Sequence, residues 1–275
     1  MNLVWAALIV AATTVLAVAA MLLVRRNAPE GSRFSDGDRA SGVFGVLATG
    51  FSVLLGFIVF LAFESYDQSR TGAEQEALVL AQQLETAQFL GRPVSAELTG
   101  ELLCYGRSVV HVEWSRAESG NLGDEINPWG VRMFGTLQTV DLQTPSQEAA
   151  YGKWLDQTSD REAARIDRIH GAVGVIPTPL WVVLFFIAVV IFVYMLFFAD
   201  RGERAITQAV LMGSVVAVIV AMLLLVRFLD SPFHEGVGGV RPVAMERTLR
   251  IADEALRAIG ETVSLPCDAE GRPTS

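Results

Sequence analysis

Residues 42–63 read GVFGVLATGFSVLLGFIVFLAF, an apolar run without a single charged side chain. At 1.5 Å per helical residue it covers about 33 Å, more than the roughly 30 Å hydrocarbon core of a bilayer. Backbone polar groups inside lipid must be satisfied within the segment, so an isolated run of this kind is a helix and not an open strand. Working outward, residues 3–24, 178–199 and 209–226 are equally free of charge. One such run is compatible with a buried core helix, whereas four together describe a polytopic membrane protein. The expected fold class is therefore an all-α membrane protein, with four transmembrane helices arranged two plus two around a helical extramembrane domain and a C-terminal amphipathic helix.

Composition points the same way. With 52% hydrophobic and only 19% charged residues, the chain does not resemble an ordinary soluble domain. Most acidic residues fall between Glu64 and Asp167 and after Asp230, regions that four spans place on one side of the membrane. An acidic surface does not suit nucleic acid, whose phosphates require clustered Lys and Arg, so nucleic-acid binding is excluded. Ala17-Val18-Ala19 offers a cleavage-like triplet, but no basic region precedes the first run and Arg25-Arg26 follow it as a stop. That run is read as a retained span and not as a secretory signal.

The expected organisation is a first transmembrane hairpin over residues 1–63 (spans 3–24 and 43–63) and a helical extramembrane domain over 64–176. A second hairpin covers 177–229 (spans 178–199 and 209–229), and a tail covers 230–275. Between the first two spans, residues 25–41 read as a polar connection broken by Pro29, Gly31 and Gly37. The second span continues as a helix beyond the membrane, with Ala77, Leu80, Leu84, Ala87 and Gly91 at heptad-like spacing and a stop at Gly91-Arg92-Pro93. Further helices are expected over 95–117, with Leu98, Leu102, Tyr105, Val109 and Val112 on one face, over 129–142, and from Thr144 or Ser146 to His170. Gly120 to Pro128 reads as a loop. In the tail, residues 242–259 form a helix whose stripe of Met245, Leu249, Ala252, Leu256 and Ile259 suits docking against the helical domain better than lipid, because its other face mixes both charge signs.

No catalytic constellation is visible, so no enzyme is expected. The three histidines, His111, His170 and His234, fit no metal-binding pattern, and there is no nucleophile elbow or glycine-rich phosphate loop; no metal and no cofactor are expected. The two cysteines, Cys104 and Cys267, have no metal-ligand or CxxC spacing. Taken singly they read as small buried residues.

The second span carries the one functional pattern. Gly42, Gly45, Thr49, Ser52 and Gly56 are spaced three or four apart, which stacks small side chains along one helix face for about 21 Å. Such a face permits close helix packing in lipid. Two readings follow: packing inside one bundle through Gly42, Gly45, Ser52 and Gly56, or a central pore lined by several copies, with Thr49, Val53 and Phe57 one turn apart as a hydrophobic gate.

Residues 51–57, Phe51-Ser52-Val53-Leu54-Leu55-Gly56-Phe57, followed by Phe63 and Tyr66, resemble the pore helix of bestrophins. Leu229-Asp230-Ser231-Pro232-Phe233 is similar to the turn after the last bestrophin membrane helix, with Pro232 and Phe233 as its tail-turn residues. With the four-span layout, the chain resembles bacterial bestrophin-like proteins over most of its length. The resemblance implies a homo-oligomer, a pentamer, that conducts an inorganic anion through a multi-pass pore in the bacterial inner membrane. Phe57 matches a neck aromatic, whereas Val53 and Thr49 stand where bulkier Phe and Ile are expected. The acidic run of calcium-activated relatives is missing after Phe233, so calcium activation is not implied.

The leading functional reading is an oligomeric ion channel or pore in the lipid bilayer. The alternative is a membrane receptor or scaffold whose helical domain binds a ligand or partner protein. Orientation divides the arguments. Bestrophins hold both termini and the large domain in the cytoplasm, but Arg25, Arg26, Arg33 and Arg39 after the first span, and Arg201 and Arg204 after the third, mark the short connections as cytoplasmic. On the arginine reading the helical domain is extracytoplasmic, and Cys104 and Cys267 share an oxidising compartment in which they can form a disulfide.

Overall fold

The structure is a computed structural model that describes residues 3–30, 33–120, 127–234, 236–260 and 263–274. Gly31 of the first connection and most of the loop between Gly120 and Pro128 lie outside the described residues. Helices α1 (Leu3–Arg26), α2 (Gly37–Ala87), α3 (Val94–Ser108), α4 (Trp114–Glu118), α5 (Pro128–Gln138), α6 (Pro145–His170), α7 (Thr178–Phe197), α8 (Ala205–Leu229) and α9 (Val243–Ala258) follow one another, with a π-helical turn over Val109–Glu113 joining α3 to α4. An isolated antiparallel bridge between Cys267 and Pro273 is the only extended pairing among the described residues. Helices α1, α2, α7 and α8 are long and apolar enough to cross a membrane.

Several boundaries differ from the sequence reading, each for a local reason. Gly37, expected to break helix, opens α2, because the Asp36 carboxylate accepts the Arg39 backbone N–H at 3.0 Å and caps the helix ahead of the apolar run. The same helix stops at Ala87, before Gly91, which takes a left-handed φ of 77°. Helix α5 ends at Gln138 and not Leu142, since the Thr139 hydroxyl and the Thr139 and Val140 N–H groups turn back onto Thr136 and Leu137 carbonyls. Helix α6 starts at Pro145 behind a capping box of Thr144 and Gln147. The last two spans run Thr178–Phe197 and Ala205–Leu229, so α7 stops two residues early and α8 starts four early.

Two compact units divide the chain: residues 1–64, 174–230 and 235–237 form one, and residues 65–173, 231–234 and 238–275 the other. Helix α2 contributes to both. In the membrane unit α1 packs on α8, and at Gly213 a Cβ would lie 3.3 Å from the Thr14 methyl. A second contact set joins Phe51, Leu55 and Ile58 of α2 with Leu184 and Ile191 of α7 and Leu223 and Val226 of α8. The Arg25 side chain donates to the carbonyls of Asp200 at 3.0 Å and Arg201 at 3.1 Å, closing the turn after α7.

The helical unit has a conventional dry core of Leu80, Leu98, Leu102, Tyr105, Trp129, Met133 and Trp154. The expected stripes face it. Ala77, Leu80 and Ala87 of α2 are buried, and so are Leu98, Leu102, Tyr105 and Val109 of α3 and the π turn. Helix α9 docks on this unit through buried Met245, and its Thr248 hydroxyl donates to the Ala77 carbonyl at 3.3 Å. Its stripe is covered only in part, because Ile259 remains 64% exposed.

Candidate functional site

In the membrane unit, Phe51, Leu55, Ile58 and Ala62 turn toward neighbouring helices and are buried. The opposite side of α2 is bare. Gly42, Gly45, Thr49, Ser52 and Gly56 are exposed, and a Cβ built on Gly42, Gly45 or Gly56 would meet nothing within 4 Å. Val53 and Phe57 are 69% and 64% exposed. The small-residue face therefore has no partner among the described residues. Ser52, whose hydroxyl donates to the Ala48 carbonyl at 2.9 Å, and Gly56 also border an apolar groove of about 590 Å³ shared with Ser214, Val218 and Met222 of α8. Further along α2, Glu64, Asp67, Glu74 and Glu85 are exposed.

The Pro232-Phe233 turn lies in the helical unit. Phe233 is buried, with its ring edge-on to Trp114 at 5.3 Å, and the Pro232 carbonyl accepts the Val240 N–H at 2.8 Å. Cys104 and Cys267 are bonded to each other, with Sγ atoms 2.03 Å apart, and both are buried.

Sequence reasoning missed a buried ionic core in the helical unit. Gly72 lets α2 and α6 touch backbone to backbone: a Cβ there would lie 2.8 Å from the Ala164 carbonyl oxygen. One turn on, Glu76 is wholly buried against Arg168, whose Nε donates to Glu76 Oε2 at 2.5 Å and whose Nη2 donates to Glu113 Oε2 at 2.5 Å. Tyr105 Oη donates to Glu76 Oε1 at 2.6 Å, Arg165 pairs with Glu113 at 3.3 Å, and Asn127 Nδ2 donates to Glu113 Oε1 at 2.8 Å. Arg161 donates to Gln83 Oε1 at 2.8 Å and lies over the Tyr105 ring at 4.8 Å. Burial pushes Glu113 up, but the Arg168 and Arg165 guanidiniums outweigh it and hold the carboxyl below its usual range. Burial also disfavours the charged Arg168, yet Glu76 and Glu113 overcome this and raise it further. For Tyr105, burial and then the Glu76 charge both raise the phenol. Arg161 Nε and Arg168 Nη1 are buried without a hydrogen-bond partner, and no cluster of metal-ligating residues occurs among the described residues.

The signal was present in spacing. Along α6 the buried positions Ala150, Trp154, Gln157, Arg161, Ala164 and Arg168 alternate by four and three, which places two arginines on the inward face. Glu76 and Gln83 do the same within the buried side of α2. A separate carboxylate, Glu101, is 5% exposed; it accepts from the Thr136 hydroxyl at 3.1 Å, while its other oxygen has no hydrogen-bond partner. Burial pushes it up to about 7.

A family model described as Bestrophin-like domain matches residues 3–245. Among solved structures, a single-site variant of a bacterial bestrophin homologue from Klebsiella pneumoniae superposes with a TM-score of 0.66 at 12% identity, covering 94% of this chain and 99% of its own. Another variant of that homologue gives 0.59 at 11% identity with the same coverage, and a structure described as a membrane protein gives 0.67 at 12% identity, covering 92% and 99%. No curated protein gives a significant match.

Proposed function

This chain belongs to the bestrophin-like family, and we propose that it works as a homo-oligomeric membrane channel with α2 lining an ion pore. The observation that carries this reading is the unpartnered side of α2. A Cβ on Gly42, Gly45 or Gly56 would meet nothing within 4 Å among the described residues, although a small-residue face is suited to close packing in lipid. Additional copies supply a neighbour, and a ring of them turns Thr49, Val53 and Phe57 toward a common axis. An apolar constriction of that kind gates by dewetting. Reconstituted in liposomes, the protein should pass ions, and Phe57→Ala should pass more. Flux no greater than in empty vesicles for both proteins, or a monomer in mild detergent and lipid discs, overturns the reading.

The sign of the ion is a finer matter. The family resemblance implies an anion, and a pentamer, but beyond its apolar run α2 also carries exposed Glu64, Asp67, Glu74 and Glu85. Acidic rings favour cations. The reversal potential under a salt gradient separates the two readings. For orientation, the short-loop arginines and the Cys104–Cys267 bond both support a helical domain outside the cytoplasm of a bacterial inner membrane. A reporter enzyme active only outside the cytoplasm, fused after residue 275, should be active; activity of a cytoplasmic reporter there instead restores the usual bestrophin topology.

A further inference from the structure

We propose that the Cys104–Cys267 bond is a redox latch that holds the C-terminal segment 263–274 over Trp129. The segment folds on itself: Asp268 N–H donates to the Arg272 carbonyl at 3.0 Å, Arg272 N–H to Asp268 Oδ1 at 2.7 Å, and Thr274 N–H to the Pro266 carbonyl at 3.2 Å. It lies against α3 where glycines leave room. A Cβ on Gly100 would lie 2.6 Å from the Ser264 carbonyl oxygen, and Gly271, at a left-handed φ of 80°, sits against the backbone of Cys104, Arg107 and Ser108. Of residues 263–274, only Cys267 and Gly271 are buried. These are its two anchors: Cys267 is bonded to Cys104, and the Gly271 carbonyl accepts the Trp129 indole N–H at 2.7 Å.

A segment that buries no large apolar side chain of its own depends on its covalent anchor. Removing that anchor leaves one indole hydrogen bond, half-buried contacts such as Leu265, and the ordering cost of the whole segment. The attached layer is consequential, because the Trp129 backbone N–H donates to Asn127 Oδ1 at 3.0 Å and Asn127 holds Glu113 of the ionic core. Cys267 lies beyond residues 3–245 that match the family. Cys104 is fully buried while Cys267 is 8% exposed, so a dithiol reductant attacks Cys267 Sγ. The S–S bond breaks, Cys104 leaves as a thiolate and takes up a proton, and the second thiol of the reductant closes its own disulfide and releases the Cys267 thiol. The two electrons come from the dithiol, and the chain contains no other cysteine to re-pair.

The test uses the full chain in lipid discs and does not depend on conduction, so its failure and that of the pore reading are distinguishable. With a dithiol, a Glu-specific protease should cleave after the exposed Glu270, beside the Gly271 anchor, at least tenfold faster, followed by intact mass. Tryptophan emission should shift red, a shift that Trp129→Phe abolishes. Cys267→Ser should show the fast cleavage without reductant while keeping its helical signal. A change in cleavage below twofold in both reduced protein and Cys267→Ser overturns the latch, as does a bond that the dithiol leaves intact. Loss of the helical signal on reduction also overturns it, because the bond is then a staple of the whole domain.

Discussion

The two units invert the usual inside-outside rule in opposite ways. In the membrane unit Val53 and Phe57 are mostly exposed, whereas in the helical unit Glu76 and Arg168 are wholly buried. The first inversion reports surroundings other than bulk water: lipid, further copies or a narrow pore. The second reports pairing, since a buried charge persists only where a partner and hydrogen bonds compensate its lost hydration. Substitutions in the helical unit should therefore fall on the stability of the protomer, and those on the bare side of α2 on assembly and conduction.

The largest expected effect breaks the ionic core. Arg168→Met removes the group that binds Glu76 and Glu113 together and leaves two buried carboxylates short of their partner. Breaking a buried pair from one side costs about 3–5 kcal/mol. Denaturant unfolding should show a loss of that order. A loss below about 1 kcal/mol would mean that water reaches the core and that the burial argument is wrong.

A matched pair of glycines sharpens the contrast. Gly72 and Gly45 both lie on α2, but a Cβ on Gly72 meets α6 backbone and one on Gly45 meets nothing. Gly72→Ala should lower stability by about 1–3 kcal/mol through overpacking. Gly45→Ala should leave the protomer unchanged, and Gly45→Leu should disturb the oligomer on native gels. Equal effects of the two alanine substitutions on unfolding would remove the distinction.

These examples also show what the sequence made legible. The spans and the helical character of the polar stretch were readable because lipid demands long charge-free runs and a dry core demands a 3.6-residue stripe. The small-residue face was readable too, as spacing, though whether it packs within the chain depended on where α1, α7 and α8 lie. The ionic core was not read because Glu76 and Arg168 are 92 residues apart, and only the α2–α6 approach at Gly72 makes them partners. Gly37 misled in the other direction, since a helix-breaking residue was rescued by the Asp36 cap one position before it.

Glu101 tests pH dependence in the helical unit. Its folded value, raised by burial to about 7, exceeds the ordinary 4.5, so between these values the folded protein holds a proton that the unfolded chain has released. Stability from this group falls as pH rises through that window and levels off above it. Glu101→Gln, which imitates the protonated form, should flatten the decline in melting temperature between pH 5 and pH 8. An unchanged slope would show that water or Arg132 already stabilises the charged form.

The smallest stability effect carries the sharpest functional contrast. Glu74 pairs with Arg70 at 3.3 Å, but both side chains are about 60% exposed, so the pair is solvent-screened. Such surface pairs are worth about 0–1 kcal/mol, and Glu74→Gln should leave unfolding almost unmoved. If the exposed side of α2 faces the ion path, however, removing one carboxylate per subunit weakens an acidic ring without altering packing. The reversal potential under a salt gradient should then shift toward anions, more so at low ionic strength, where the Debye length is longer. A change in stability with no shift in reversal potential would place Glu74 away from the ions and confine the lining face to the apolar half of α2.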